Sequence, residues 1–422
     1  MADPYPIRPF GPDEFNATYH VDEHAFLGRP MSDKHREAYL RQFEFDRSLA
    51  AFDGSTPVGV TSIYSLRMSL PGTVAPVAGV TYVAVLPTYR RQGILSSLMR
   101  RQLTDISEGD EAVAALWASE PGIYGRYGYG VASWGTSFKF AKGEGVLGRQ
   151  APAVERGLRL RLADPGSSRD ELGKLFDQVL PTRPGMYARD ELWWDRVLGT
   201  NNESGAGGDP VRCLLAEDDD GIRGYAIYTA TQRWDEASML PDSTLHVNEM
   251  VAVDPAATAA IWRDLLSRDL AGEFTALLRP VDDPLALMLS DLRRARRTLA
   301  DGLWIRLVDV PRALAQRRYS APVDVVIKVS DEILPRNAAR WRLRTEPGPD
   351  GEGDGLAATC EATDSAADLS LDIAALGAAY LGGTQLGGLA RAGQVTERRP
   401  GTLAAASTAL SWDPPPWCPM IF

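Results

Sequence analysis

Between residues 48 and 118 the spacing of hydrophobic positions changes period several times. Ser48 to Phe52 and Pro57 to Leu66 are apolar runs on either side of Asp53-Gly54. That dipeptide favours the positive φ angles of a tight turn, so the runs predict an antiparallel hairpin. Val77 to Val85 is rich in valine and alternates, which predicts another strand. From about Gly93 to Ile106 the period lengthens to that of a helix, with Leu95, Leu98, Met99 and Leu103 along one side. Ala112 to Ala118 then reads as a buried strand.

Gly and Pro break the periodicity from Gly143 to Gly157, GEGVLGRQAPAVERG, which reads as a linker. A second block runs from about Leu158 to Asp301 and is cut by the turn-rich segment Gly199 to Asp209. Within it, His246 to Leu270 contains Val-Ala-Val-x-Pro followed by an amphipathic helix, the same order as Val83 to Pro87 and the helix after it. This is an internal repeat. Tyr89, Arg90, Arg91, Gln92 and Gly93 of the first copy are matched by Ala257, Thr258, Ala259, Ala260 and Ile261 of the second. If the first copy binds an anion there, the second has lost the means.

A third block, from about Leu303 to Phe422, opens with a strand-like Leu303 to Val308 and contains a loop from Glu346 to Gly355 and a helical Asp372 to Leu381. It ends WDPPPWCPMIF. Three consecutive prolines favour a stiff extended conformation, so the apolar end is expected at a particular place rather than fraying.

Composition limits the function classes. At 422 residues the chain is too long for one core, given about 100–200 residues per domain. Hydrophobic content of 44% with 24% charge is that of a soluble globular protein, and no apolar run approaches the ~18 residues of a membrane span. The opening MADPYPIRPFGPDEF lacks the basic start and apolar block of a signal peptide, so a cytoplasmic protein is expected, with no membrane partner. Cys213, Cys360 and Cys418 are odd in number and far apart, which argues for small buried apolar residues rather than a disulfide framework or zinc site. His20, His24, His35 and His246 have no metal-ligand spacing, so no metal is expected. A net charge of -11 argues against nucleic acid and for cationic small molecules or basic peptides, although excess acid also serves solubility.

The candidate chemistry starts at Arg90-Arg91-Gln92-Gly93, between a strand and a helix. A helix start leaves four backbone N–H groups unpaired and carries partial positive charge, and Gly93 lets an anion approach the main chain. By itself the motif is also compatible with a basic turn that happens to precede a helix. Its setting, a hairpin, strand, basic turn, helix and buried strand, resembles a Gcn5-related N-acetyltransferase (GNAT) fold, in which that turn holds the pyrophosphate of acetyl-CoA. Leu95 replaces the usual last small residue of Q/R-x-x-G-x-G/A.

More narrowly, the chain resembles the enhanced intracellular survival (Eis) family of acetyltransferases. Three segments carry the resemblance: Tyr82 to Leu95, ASEPGIYGRYGYG from Ala118 to Gly130, and DGLWIRLVDVPRALAQRRY from Asp301 to Tyr319. It implies an α/β (α+β) architecture: a catalytic GNAT domain over 1–145, a second, degenerate GNAT-like domain over 146–301, and a domain like sterol carrier proteins over 302–422. It also implies a hexamer. Cofactor contacts fall by resemblance on Val83, Ala84, Val85, Arg90, Arg91, Gln92, Gly93, Ile94, Leu95, Ser96, Ser119 and Glu120.

Acetyl transfer to an amine requires a polarised thioester carbonyl, a deprotonated amine and a protonated leaving thiolate. Backbone N–H near Val85 suits the first. Resemblance gives the thiolate's proton to Tyr124, since a phenol of pKa ~10 stays protonated near neutrality; Tyr127 and Tyr129 are rivals on composition. The resemblance also brings the carboxylate of Phe422 into the site, where it would accept the amine's proton through water, although the same tail could serve only as an anchor. Expected acceptors are amines of aminoglycosides, polyamines or lysine side chains. Ile421 and Trp117 depart from the aminoglycoside-acetylating members, which carry an acid and a histidine there. Rival readings are a non-catalytic acetyl-CoA sensor and a lipid carrier.

Overall fold

The computed structural model describes residues 4–28, 30–199, 209–346 and 355–422. The turn-rich segments Gly199 to Asp209 and Glu346 to Gly355 lie, apart from their ends, outside the described residues. The chain divides into two compact units: 1–133 with 302–416 and 421–422, and 134–301 with 417–420.

In the first unit, β1 (Ile7–Pro9), β2 (Leu49–Asp53), β3 (Thr56–Leu70), β4 (Thr73–Val85), β5 (Val113–Trp117) and β6 (Gly130–Val131) share one mixed sheet. The strand Leu303–Leu307 inserts between β5 and β6. Its helices here are α1 (Phe15–Phe26), α2 (Asp33–Gln42), α3 (Ile94–Ser107) and the single turn α4 (Pro121–Tyr124). The expected hairpin is β2 and β3, paired at Phe52 with Pro57 and Asp53 with Thr56, with Gly54 at φ +60°. The α3 stripe of Ile94, Leu98, Met99, Leu103 and Ile106 is buried. Gln102, on the same face, is buried too, and its amide donates to Thr61 Oγ1 (2.8 Å) and the Ser62 carbonyl (3.2 Å), so its burial leaves no orphan donor.

The same unit carries a second sheet in the order Ala357–Ala362, Arg340–Glu346, Asp324–Ser330, Leu369–Asp372, Val395–Glu397. The predicted helix is Ile373–Tyr380, started by the Asp372 carboxylate accepting from Ala375 N–H at 2.7 Å. It lies directly on backbone: a Cβ on Gly377 would fall 2.2 Å from the Ile305 carbonyl oxygen, and one on Gly130 would fall 1.9 Å from that of Ala374. Neither carbonyl can yield without moving a strand or a helix. Gly377→Ala is therefore expected to cost about 2–3 kcal/mol by overpacking, read as a lower thermal midpoint of the full chain.

The second unit is a sheet in the order Thr298–Asp301, Trp134–Ala141, Ala271–Pro280, Ser243–Ala252, Ile222–Thr231, Arg212–Glu217, Arg159–Ala163. Ser243–Ala252 and Ala271–Pro280 run parallel, and the helix Pro255–Leu266 joins them, so the sequence repeat is a repeat of strand, helix and parallel strand. Phe138, Phe140, Trp262 and Phe274 anchor its core. All three cysteines are buried and none forms a disulfide. The proline-led tail is held in both units. Trp417 donates from its backbone N–H to the Pro184 carbonyl (2.8 Å) and from Nε1 to that of Leu278 (2.5 Å), with the Arg279 guanidinium 5.3 Å from its ring centre. Phe422 is buried in the first unit. Among the described residues no helix is long and apolar enough to cross a membrane, and no cluster of His, Cys, Asp and Glu could hold a metal ion.

Candidate active site

The site begins with a defect in β4. Pairing between β3 and β4 slips between Val60, opposite Ala84, and Ser62, opposite Thr81, so β4 carries an extra residue. Tyr82 absorbs the slip at φ +57°, a left-handed conformation rare for a side chain of its size. On its other side β4 pairs in parallel with β5 only at Ala78 with Ala114 and Gly79 with Ala115. Past Gly79 the strands part, and among the described residues β4 runs on to Val85 without a strand partner on that edge. An unpaired edge is a template for an amide-bearing chain to add as a further strand.

A cavity of about 690 Å³ opens at this divergence. Val83, Ala84 and Val85 line it from β4, Arg90, Arg91 and Gly93 from the turn, and Ile94, Leu95 and Ser96 from the start of α3. Ser119, Glu120 and Tyr124 line it from around α4. Gln92 and Phe422 are not in its described lining. The Gln92 Oε1 instead accepts from the Tyr5 hydroxyl at 2.5 Å, and Tyr89 donates to Asp53 at 2.9 Å, so both ends of the basic turn are tied to the β1–β2 side. Phe422 meets β4 at the divergence itself, where its ring lies 3.2 Å from the position a Gly79 Cβ would take. Residues that the motif did not single out also line the cavity: Ala25, Phe26 and Leu27 at the end of α1, and Tyr127.

Gly93, at φ +85°, is the N-cap of α3, and Arg91 before it is also left-handed at φ +64°. Among the described residues no side chain caps this helix, and its first bond runs from Ser97 N–H to the Gly93 carbonyl at 3.0 Å. The backbone donors of the first turn therefore face the turn and the cavity, with exposed Arg90 and Arg91 beside them. The second copy of the repeat differs at this point. Its helix is capped by Asp254, whose Oδ1 accepts from Ala256 N–H (2.8 Å) and Ala257 N–H (2.9 Å) and whose Oδ2 pairs with Arg223 at 2.7 Å. A fixed carboxylate occupies the place that an anion would take.

Three tyrosines follow β5. Tyr124 is buried, with its ring edge-on to Tyr129 at 6.1 Å. Burial pushes its phenol up to about 12, against a hydrogen bond with Ser119 that pulls it down, so it is neutral and proton-bearing at physiological pH. The Tyr127 hydroxyl is engaged with Ser96 Oγ at 3.0 Å, which joins this segment to the first turn of α3. Its carbonyl accepts from Arg306 Nε at 2.9 Å. Fully buried Arg306 also grips both oxygens of Asp331 at 2.7 Å. Lining the cavity and still carrying a phenol free of α3, Tyr124 is the best-placed proton donor of the three.

Known proteins match over this same layout. Family models described as Acetyltransferase (GNAT) domain match residues 6–132 and 185–307, and one described as Sterol carrier protein domain matches 310–419. An uncharacterized N-acetyltransferase of Streptomyces avermitilis is 39% identical over 98% of this chain and 98% of its own. N-acetyltransferase Eis of Mycobacterium tuberculosis is 34% identical over 86% of this chain and 85% of its own. The crystal structure of Eis1 from Mycobacterium abscessus superposes with a TM-score of 0.81 at 31% identity, covering 99% of this chain and all of that one. With two acetyltransferase domains, a sterol-carrier-like third domain and this end-to-end likeness, the chain belongs to the Eis family of GNAT N-acetyltransferases.

Proposed function

We propose that the protein transfers the acetyl group of acetyl-CoA to a primary amine of a cationic acceptor (an aminoglycoside-like compound, a polyamine or a lysine side chain) by direct attack in a ternary complex. The observation that carries this reading is the meeting, at one cavity, of an unpaired strand edge, an uncapped helix start and a buried neutral phenol. Val83 to Val85 offer main-chain groups to the pantetheine amides. The first turn of α3, with Arg90 and Arg91, receives the pyrophosphate, and Gln92 acts by holding the turn.

The amine nitrogen attacks the thioester carbon, forming the C–N bond, while backbone N–H near Val85 stabilises the developing oxyanion. As the C–S bond breaks, its electron pair leaves with sulfur, which takes the proton of Tyr124. The proton shed by the amine passes through water to the carboxylate of Phe422. One proton is given and one received, and solvent restores both groups. The groove over the third domain's sheet is lined by Lys328, Arg340, Asp364 and Arg398 among small residues, a charged surface that suits a lipid tail poorly.

The reading is tested by thiol release from acetyl-CoA over a panel of aminoglycosides, polyamines and lysine peptides; tight acetyl-CoA binding without turnover of any amine would refute it. Adding one glycine after Phe422 moves the carboxylate away and is expected to lower kcat by about 10–100-fold with the thermal midpoint unchanged. Unchanged kcat would reduce Phe422 to an anchor.

A further inference from the structure

The sheet of the third domain carries a row of cations on one face. Val325, Ile327 and Val329 of the strand Asp324–Ser330 are buried, so Lys328 alternates onto the opposite face. Register sets Arg340 directly beside it on one neighbouring strand and Ser370 directly beside it on the other. Arg398 Nε donates to Ser370 Oγ at 3.3 Å, which brings a third cation to the same row. With strands about 4.8 Å apart, the row spans roughly 10 Å. These side chains line a groove of about 1180 Å³ whose other walls are mostly alanine.

The carboxylates that could neutralise the row are held elsewhere. Asp324 takes two nitrogens of Arg342 at 2.8 and 2.7 Å, Asp368 takes Arg399 at 2.6 Å, and Asp372 caps the helix Ile373–Tyr380. Asp364, the one acid in the groove's described lining, is fully exposed and stands 3.8 Å from Arg340, beyond hydrogen-bond distance. Among the described residues the Lys328 ammonium has neither a hydrogen bond nor an ion pair. Lys328 and Arg340 face each other across two paired strands, and like charges placed so repel. In a chain of net charge -11, three cations gathered at one groove without a close carboxylate are a local conflict that a bound anion resolves. A carboxylate would need one of them. A phosphate dianion uses several, since guanidinium forks and a hydroxyl match its oxygens.

We propose that this groove binds a phosphoryl group, seated on Lys328 and flanked by Arg340, Arg398 and the Ser370 hydroxyl, and carried by a soluble phosphate ester or a phospholipid headgroup. The groove shares no lining residue with the acetyl-CoA cavity, so the site stands whether or not the chain transfers acetyl groups.

The test is calorimetric titration of inorganic pyrophosphate into the full chain saturated with coenzyme A, with pelleting on phosphatidylcholine vesicles with and without phosphatidylglycerol in parallel. Lys328→Ala and Arg340→Gln are each expected to weaken pyrophosphate by about 10–50-fold. Arg391→Gln removes the same charge from an exposed position outside the groove and leaves the affinity unchanged. Pyrophosphate raises the thermal midpoint of the native protein and not that of Lys328→Ala. Without pyrophosphate the midpoint of Lys328→Ala does not fall, because the variant loses a repulsive neighbour and no partner. Where pyrophosphate binds, pelleting on phosphatidylglycerol that Lys328→Ala abolishes assigns the phosphoryl group to a lipid headgroup, and binding without pelleting assigns it to a soluble ester. Pyrophosphate that does not bind the native protein, or binds Lys328→Ala equally well, overturns the proposal. So does a native oligomer that Lys328→Ala breaks up and that takes no pyrophosphate, since a second copy would then fill the groove. Dependence on Lys328 decides the matter, so the test holds even if coenzyme A fails to bind and the transferase reading falls.

Discussion

Tyr124→Phe should lower kcat for acetyl transfer by about two orders of magnitude or more, the range typical of a lost general acid. The phenyl ring keeps its edge-on contact with Tyr129, so what is lost is the hydroxyl alone. Acetyl-CoA affinity should hold if, as proposed, β4 and the start of α3 grip the cofactor; a fall in kcat at constant affinity marks an interaction made in the transition state. The pH dependence sharpens the test. With the phenol pushed up to about 12 by burial, the proton is in place across neutral and mildly alkaline pH, so the native rate shows no descending limb from this group there. Tyr127→Phe is the matched control. It removes the bond to Ser96 and is expected to weaken acetyl-CoA rather than slow the chemical step. Stopped-flow thiol release at saturating acetyl-CoA checks both, and an unchanged kcat in Tyr124→Phe would assign protonation of the thiolate to solvent.

The largest expected loss of stability is at Arg306. Its guanidinium is fully buried and donates to the carbonyls of Tyr127 (2.9 Å) and Leu307 (2.7 Å) as well as to Asp331. Asp331 in turn accepts from Ile333 N–H, Leu334 N–H and the Asn337 amide. Arg306→Leu strands the carboxylate in the interior and should cost about 3–5 kcal/mol, whereas removing both charges in Arg306→Leu/Asp331→Leu should restore much of it. In a double-mutant cycle by denaturant unfolding, the two single losses would exceed the double loss. Below its transition, Arg306→Leu should also turn over more slowly, because the Tyr127 carbonyl loses the donor that ties the Tyr124–Tyr129 segment to the strand Leu303–Leu307.

Much of this was legible in the chain because it rests on local signals. The hairpin follows from Asp53-Gly54 and its flanking runs, and the repeat from two copies of Val-Ala-Val-x-Pro. The Asp254 cap was also within reach, since an acid followed by proline at a helix start is a known opening signal. The bulge at Tyr82 was not, because a one-residue slip leaves an alternating strand still alternating. Nor was the parting of β4 from β5, which depends on where pairing stops. Arg306 stands in an apolar strand, and only its partner 25 residues later explains why it is tolerated there. The alternation of Trp134–Ala141 says that it is a strand but not which sheet it joins.

That last strand has a counterpart. The strand Leu303–Leu307 pairs with β5 and β6 in the first sheet, although the whole sheet of the second unit, from Trp134 to Asp301, is encoded before it. On the ribosome, β5 emerges with a bare edge, and its partner arrives only after the sheet of the second unit has been translated, on the order of ten seconds or more later. Until then an apolar strand of Val, Ala and Leu is open to any other chain with an edge to offer. A nascent chain released before residue 303 would keep that edge for good. The acetyl-transfer domain thus becomes self-sufficient only once synthesis has passed the second domain, and chaperone dependence during translation should concentrate in this window.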